Sequence, residues 1–263
     1  MTGARILPLL LLAGLAGCAT NRVALPTGSG TPFPGFEAVY DEATRECAAA
    51  RTVVADLGMS GRAGGTSLRG TVTTALADGG AIRLEGVYLG RAIFILAGRH
   101  GRATLLLLRE DRVLRDAPPE AIVEALAGVP LTPSDLRAAV AGCGLVTGAP
   151  VRGRMFNNDW AAVDVGDTVT YLRRVEGQWR VGGASRGGLT LTYDRFAGGR
   201  PGAIGIRSGA GGGGPAADIR LRVSGLEVNT EVDPKAFALE VPSGTDPLTL
   251  DELRRSGPLG DRR

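Results

Sequence analysis

"AIRLEGVYLGRAIFILAGRHGRATLLLLREDRVLRDAPPEAIVEALAGVPLTPSDLRAAVAGCG", Ala81 to Gly144, holds the passage from sheet to helix on which the fold turns. Its first half consists of short runs rich in Ile, Leu and Val, broken at Gly90 and at Gly98-Arg99-His100-Gly101 and closed by a strand-end turn at Glu110-Asp111. Turn residues at that spacing mark antiparallel strands. The second half opens with Ala117-Pro118-Pro119-Glu120, carries Ile122, Val123 and Leu126 on one face and stops at Gly128, which is a helix with proline in its first turn. Another helix follows, with Thr132 or Ser134 as N-cap and Gly142 or Gly144 as its stop.

Upstream, the strand pattern reaches back to Arg51, and "TVTTALADGGAIRLEG" (Thr71 to Gly86) is a hairpin whose tip is Leu76 to Gly80. Before it, Phe36, Val39, Tyr40, Ala43 and Cys47 make the apolar stripe of an amphipathic helix from Phe36 to Ala50. Downstream of Pro150, strands are expected at Trp160 to Val165, Asp167 to Arg174, Gln178 to Gly182, Leu189 to Phe196, Ala203 to Arg207 and Ile219 to Val228. The order is helix, five strands, two helices and about six strands. That predicts an α+β domain in which one antiparallel sheet of about 11 strands packs on a few helices.

The ends of the chain carry different information. Arg5, the apolar run Ile6 to Leu15, and Leu15-Ala16-Gly17 before Cys18 read as an export signal, and the run is too short to span a bilayer. Leu-Ala-Gly-Cys resembles the bacterial lipobox, which implies cleavage before Cys18 and lipidation of its thiol and new amino group. An ordinary secretory signal with an incidental cysteine is the alternative. In the lipoproteins this resembles, an Asp after the Cys commonly retains the protein at the inner membrane, and Ala19 here favours the outer membrane. Residues 1–17 are thus the expected signal peptide and 18–35 a lipidated N-terminus on a flexible leash rich in Gly and Pro. The domain proper spans 36–245, and 246–263 form a short capped helix with a frayed end.

Net charge is +3, and of 30 basic residues only Lys235 is a lysine; with no basic tract interleaved with aromatics, nucleic acid is not an expected partner. Cys47 and Cys143 follow a leader that points to an oxidising compartment, so they form either a disulfide, contributing roughly 4 to 5 kcal/mol in the chain-entropy model, or two buried thiols.

Several motifs look chemical. Gly183-Ala184-Ser185-Arg186-Gly187 matches the nucleophile elbow, but an alternating strand follows it where a helix is required, so it reads as a hairpin turn. Gly209 to Gly214 matches a dinucleotide fingerprint with no helix after it, and reads as a mobile loop. His100 is the only histidine, in a glycine-flanked turn, and Glu120 with Glu124 reads as a solvated helix face. No nucleophile, base and orienter assemble, so a binder rather than an enzyme is expected, with no metal and no cofactor.

The stretch from Ala81 to Gly144 resembles the central segment of the LolA/LolB superfamily of lipoprotein carriers and is closest to the outer-membrane receptor LolB. The corner Tyr88-Leu89-Gly90, the helix end Gly128, the element Leu131, Pro133, Leu136 and Gly142, and the strand pair with Trp179 and Tyr193 carry the likeness. Val140 replaces a usual Trp, Tyr88 a usual Pro, and the Gly-rich loop is extra. The resemblance implies an incomplete antiparallel barrel wrapped around helices, with an apolar cavity that receives acyl chains of lipoproteins or lipids, delivered by a periplasmic carrier. It assigns Ile82, Leu84, Phe94, Leu96, Leu105, Leu107 and Trp179 to that cavity. Leucine-rich strands with apolar residues on both faces suit a cavity or a filled core equally. In the receptor, the hairpin between the third and fourth strands presents an apolar residue to the membrane. The corresponding tip here makes Leu76 the candidate, unless it is the last buried residue of its strand.

Overall fold

Among the described residues, six hairpins turn on two-residue loops in which both φ angles are positive: Gly64-Gly65, Leu89-Gly90, His100-Gly101, Glu176-Gly177, Gly187-Gly188 and Gly198-Gly199. Turns of that hand match the twist of the flanking strands, so short loops of this kind generate a long meander. The computed structural model describes residues 23–145, 148–209 and 216–256. The export signal, Cys18, most of the Gly-rich run and the last seven residues lie outside the described residues.

The first meander comprises β2 (Thr52–Ala63), β3 (Thr66–Ala77), β4 (Ala81–Tyr88), β5 (Arg91–Arg99), β6 (Arg102–Leu107) and β7 (Arg112–Ala117), preceded by β1 (Thr31–Pro32) and α1 (Phe36–Ala48). Helices α2 (Pro119–Ala127) and α3 (Pro133–Ala141) then interrupt the sheet. Gly128, with φ 70°, closes α2, and Thr132 and Asp135 form a reciprocal capping box that opens α3. The second meander runs through β8 (Pro150–Asn157), β9 (Trp160–Val165), β10 (Thr168–Val175), β11 (Gln178–Arg186), β12 (Leu189–Ala197), β13 (Arg200–Ser208) and β14 (Ala217–Val228), followed by β15 (Asp246–Pro247) and α4 (Leu250–Ser256).

β14 pairs with β2 from Ala217↔Ala63 to Val228↔Val53, which joins the two meanders into one sheet ordered β1-β8-β9-β10-β11-β12-β13-β14-β2-β3-β4-β5-β6-β7-β15. All pairs are antiparallel except β15 with β7, and the sheet does not close. Among the described residues it has 15 strands rather than about 11. The four that the pattern missed are β1, β7, β8 and β15. Two of them are only two residues long, β7 buries the adjacent Val113 and Leu114 and so shows no alternation, and β8 carries Gly153 against the Phe36 ring instead of an apolar side chain.

The inner face of the sheet carries the helices. α1 packs on β8 and β11, α3 on β2, β3 and β13, and α2 on β6 and α4, and one continuous apolar core runs through both meanders. Cys47 at the end of α1 is joined to Cys143 just after α3, with Cα atoms 5.4 Å apart.

The outer face is covered by the two ends of the chain. A 3-10 turn, Pro234–Phe237, lies against β4 and β5, where Arg83 donates to the Ala236 carbonyl at 2.8 Å and Phe237 is buried. The apolar outer residues Ala97, Leu106 and Val113 are buried on a face that an ordinary one-sided sheet would leave wet. At the other end, residues 23–34 are not the free leash expected from their composition. Leu25 packs on Gly183, where a Cβ would stand 2.8 Å from it, Gly30 sits against Met155 and Arg154, and Thr31-Pro32 pair with β8. This strap crosses the outer face of the second meander, where Gly183 leaves room for the Leu25 side chain.

Candidate functional site

Six of the seven expected cavity residues meet on the inner face of β4, β5 and β6. Leu84, Leu96 and Leu105 are successive cross-strand neighbours, Phe94 pairs with Leu107, and Ile82 lies opposite Gly98. The Phe94 ring lies on Gly86, whose hydrogen it needs: a Cβ there would collide with the ring. Leu84 is half-buried and the other five are buried in the same core as α2 and α3. Thr74, paired with Leu84 and Ala55, is 1 % exposed, and its hydroxyl is buried with no hydrogen-bond partner.

Trp179 does not join that group. It belongs to β11, in the other meander, with the Arg174 guanidinium 4.7 Å over its ring and Phe33 at 6.4 Å. An aromatic in a short motif shows burial but not which half of a wide sheet it serves. Its motif partner Tyr193 is fully buried, donates to the Ala139 carbonyl at 2.7 Å and accepts from the Gly144 N–H at 2.9 Å. Burial raises its phenol far above the usual tyrosine range, so it stays protonated and pins the end of α3 to β12.

The rim also differs from expectation. Leu76 is 1 % exposed and pairs with Val53 and Ile82, so it is a core residue, and the tip of its hairpin is Asp78–Gly80. The most exposed leucine among the described residues is Leu89, 83 % accessible at the turn between β4 and β5. Leaving aside the two-residue β1, this is the turn between the third and fourth strands. Leu89 also has φ 48°, a left-handed conformation that leucine rarely adopts. A leucine in a turn position that Asn or Gly normally fills was the sequence signal available, in the corner Tyr88-Leu89-Gly90.

Leu108 and Val151 are exposed as well, at 39 % and 72 %. The turns β2–β3, β4–β5 and β6–β7 and the start of β8 all fall at one end of an antiparallel meander, so Leu89, Leu108 and Val151 share one rim. On the outer face near this rim is a polar cleft of about 260 Å³, lined by Ser60, Thr192, Asp194, Arg207, Asp218 and Arg220, with Val23 of the strap at its wall. Behind the rim, Arg186 at the end of β11 donates to the buried Asp135 of α3 at 2.7 Å, and that bond holds the guanidinium above its ordinary range.

Ser185 lies within β11, paired with Val169 and Thr190, and the residues after it form the Gly187-Gly188 turn. His100 occupies the β5–β6 turn, and six strands separate β5 from β11 in the sheet. Among the described residues, no group of three or more His, Cys, Asp or Glu is placed to hold a metal ion.

No protein-family model matches this sequence, and no curated protein does. A solved structure of a LolA superfamily protein from Nitrosomonas europaea superposes with a TM-score of 0.53 over 77 % of this chain and 96 % of that one, at 10 % identity. The fold is LolA-like. A DUF1329 family protein from Desulfovibrio piger (TM-score 0.45, 14 % identity, 76 % of this chain and 96 % of that one) and the Mycobacterium tuberculosis lipoprotein LppX (0.33, 10 %, 76 % and 99 %) are more distant in shape. In this LolA-like sheet, the apolar inner face of β4–β6 and the exposed Leu89 belong to the same strands.

Proposed function

We propose that this chain is an outer-membrane lipoprotein of the LolB type, lipidated at Cys18, that receives acyl chains of lipoproteins or lipids from a periplasmic carrier and passes them to the membrane. The observation that carries the reading is the pairing of an inner apolar face, Leu84, Leu96, Leu105, Phe94 and Leu107, with a leucine held exposed at the end of the same hairpin. A leucine kept in water and in a left-handed conformation costs stability on both counts, which selection tolerates where the residue acts on something outside the fold. Transfer of this kind needs no cofactor and no covalent chemistry. Each acyl CH₂ moved out of water contributes about 0.8 kcal/mol, so an affinity gradient from carrier to receptor to bilayer suffices to drive it.

A second reading rests on the packing of the interior. Ile82, Leu96 and Leu105 are fully buried among side chains, as in a scaffold whose core is filled and whose rim docks a protein. Native mass spectrometry of residues 21–263, purified without detergent and then offered a diacylated lipopeptide, separates the two. Uptake of about one lipopeptide per chain supports the receptor. A mass that stays apo, with the lipopeptide in excess, supports the scaffold.

A further inference from the structure

Thr74 is a polar exception on an apolar surface. On the inner face of β3 its cross-strand partners are Ala55 and Leu84, and its neighbours along the strand are Val72 and Leu76. The four residues diagonal to it, Val53, Leu57, Ile82 and Gly86, are apolar as well. None of the eight offers a side-chain acceptor, and the β3 backbone is already paired on both sides, with β2 and with β4. The hydroxyl is thus left without a hydrogen-bond partner at 1 % exposure, where valine would fill the same shape without an unmade bond. Its row continues through Leu84, Leu96 and Leu105, crossing from β3 to β6 in about 14 Å at about 4.8 Å per strand. Leu84, directly beside Thr74, is half-buried while Leu96 beyond it is fully buried, so the row is open next to the hydroxyl.

An esterified acyl chain brings a carbonyl into an apolar site, an acceptor that carries no charge. A free fatty acid brings a carboxylate, which needs a cation when it is buried. Both charged residues of α3, the helix packed on β2 and β3, are already paired, Asp135 with Arg186 and Arg137 with Asp78, each at 2.7 Å. A carboxylate placed beside Thr74 would find the Arg137 charge taken, whereas an ester carbonyl needs only a donor. We propose that the Thr74 hydroxyl is the polar anchor of the acyl site: its Oγ1 donates to the ester carbonyl, the chain lies along Leu84, Leu96 and Leu105, and the site takes esterified acyl chains in preference to free fatty acids. The inference rests on the reading of the inner face as an acyl site and adds to it the residue that recognises the ligand and the linkage that is recognised.

The soluble chain of residues 21–263 retains every described residue and serves for the test. Its affinity is measured for a diacylated lipopeptide with ester linkages and for the ether-linked analogue, in the parent, Thr74→Val and Thr74→Ser. T74V is expected to bind the ester lipopeptide about tenfold more weakly than the parent, to bind the ether analogue as the parent does, and to unfold at higher urea; T74S recovers the ester affinity. The infrared stretch of an isotope-labelled ester carbonyl should lie lower when bound to the parent than to T74V, and methyl palmitate should bind the parent more tightly than palmitate. The same series with phosphatidylethanolamine in place of the lipopeptide tells lipid from lipoprotein as the source of the ester, and the anchor holds for whichever is bound. Ester and ether lipopeptides bound alike by parent and T74V would leave the acyl site standing and overturn the anchor. An equal loss of both ligands in T74V, or palmitate bound as tightly as its ester, overturns it too. If neither lipopeptide binds the parent in excess, the receptor reading falls and the anchor with it.

Discussion

Leu89 and His100 hold matching positions at the two ends of β5, each the first residue of a two-residue turn completed by glycine, with φ of 48° and 54°. The backbone requirement is the same and neither residue suits it, since a left-handed conformation costs a non-glycine residue roughly 1 kcal/mol and Asn tolerates it best. Leu89→Asn and His100→Asn are both expected to raise stability by up to about 1 kcal/mol in urea unfolding. They should differ in function. L89N slows transfer of bound lipopeptide to vesicles while leaving its binding intact, and H100N does neither. Unchanged transfer by L89N would remove the membrane role from that turn.

The Tyr193 hydroxyl bridges α3 and the segment after it. Tyr193→Phe leaves the Gly144 N–H without its acceptor in a buried site, and is expected to cost about 1 to 3 kcal/mol with an unchanged m-value. A loss below a few tenths of a kcal/mol would show that the loop re-pairs elsewhere.

Thr74 gives the opposite sign. Its buried hydroxyl is unpartnered, so Thr74→Val, of nearly the same shape, is expected to stabilise by about 1 kcal/mol. Destabilisation would mean that a partner such as water completes that site.

The Cys47–Cys143 bridge closes a loop with a sequence separation of 96, for which chain entropy gives about 4 to 5 kcal/mol. The double variant Cys47→Ser with Cys143→Ser should lower the urea midpoint accordingly, and the parent protein under reductant should follow it. Because the bridge links α1 to α3, protection of α1 amides from hydrogen exchange should fall first.

Glu252 reports on the C-terminal latch. The Thr249 N–H and hydroxyl and the Arg112 guanidinium favour its ionised form and lower its carboxyl to about 2. A carboxylate depressed in the folded state stabilises above its unfolded value and loses that contribution as pH falls through the folded one. Protection of the α4 amides should therefore drop as pH is lowered from about 4.5 to about 2, the ordinary and folded values for Glu252. Glu252→Gln should abolish the step.

Which parts of this were legible in the sequence follows from range. The turns at Leu89-Gly90 and Gly187-Gly188, the cap at Thr132 and the helix stops at Gly128 and Gly142 depend on φ preferences and hydrogen bonds within a few residues, so they are written locally and the structure places them where the pattern does. The periodicity of β12, with Leu189, Leu191 and Tyr193 buried and Thr190, Thr192 and Asp194 between them, is local in the same sense. What covers a face is not. Leu76 and Leu89 are both leucines beside glycine-containing turns, and only the packing of β2 and the helices over one of them makes it core while the other stands in solvent. The outer face of β4 and β5 is packed by the Pro234–Phe237 turn, more than a hundred residues away, and the strap docks on Gly183 of β11, which is remote in sequence. The sequence alone determined the strands, turns and helix ends of this protein, because those are short-range choices. The tertiary structure decided which apolar residues form the inner face, which one reaches out, and that the N-terminal segment is a strap, because burial is settled by whichever distant segment covers a surface.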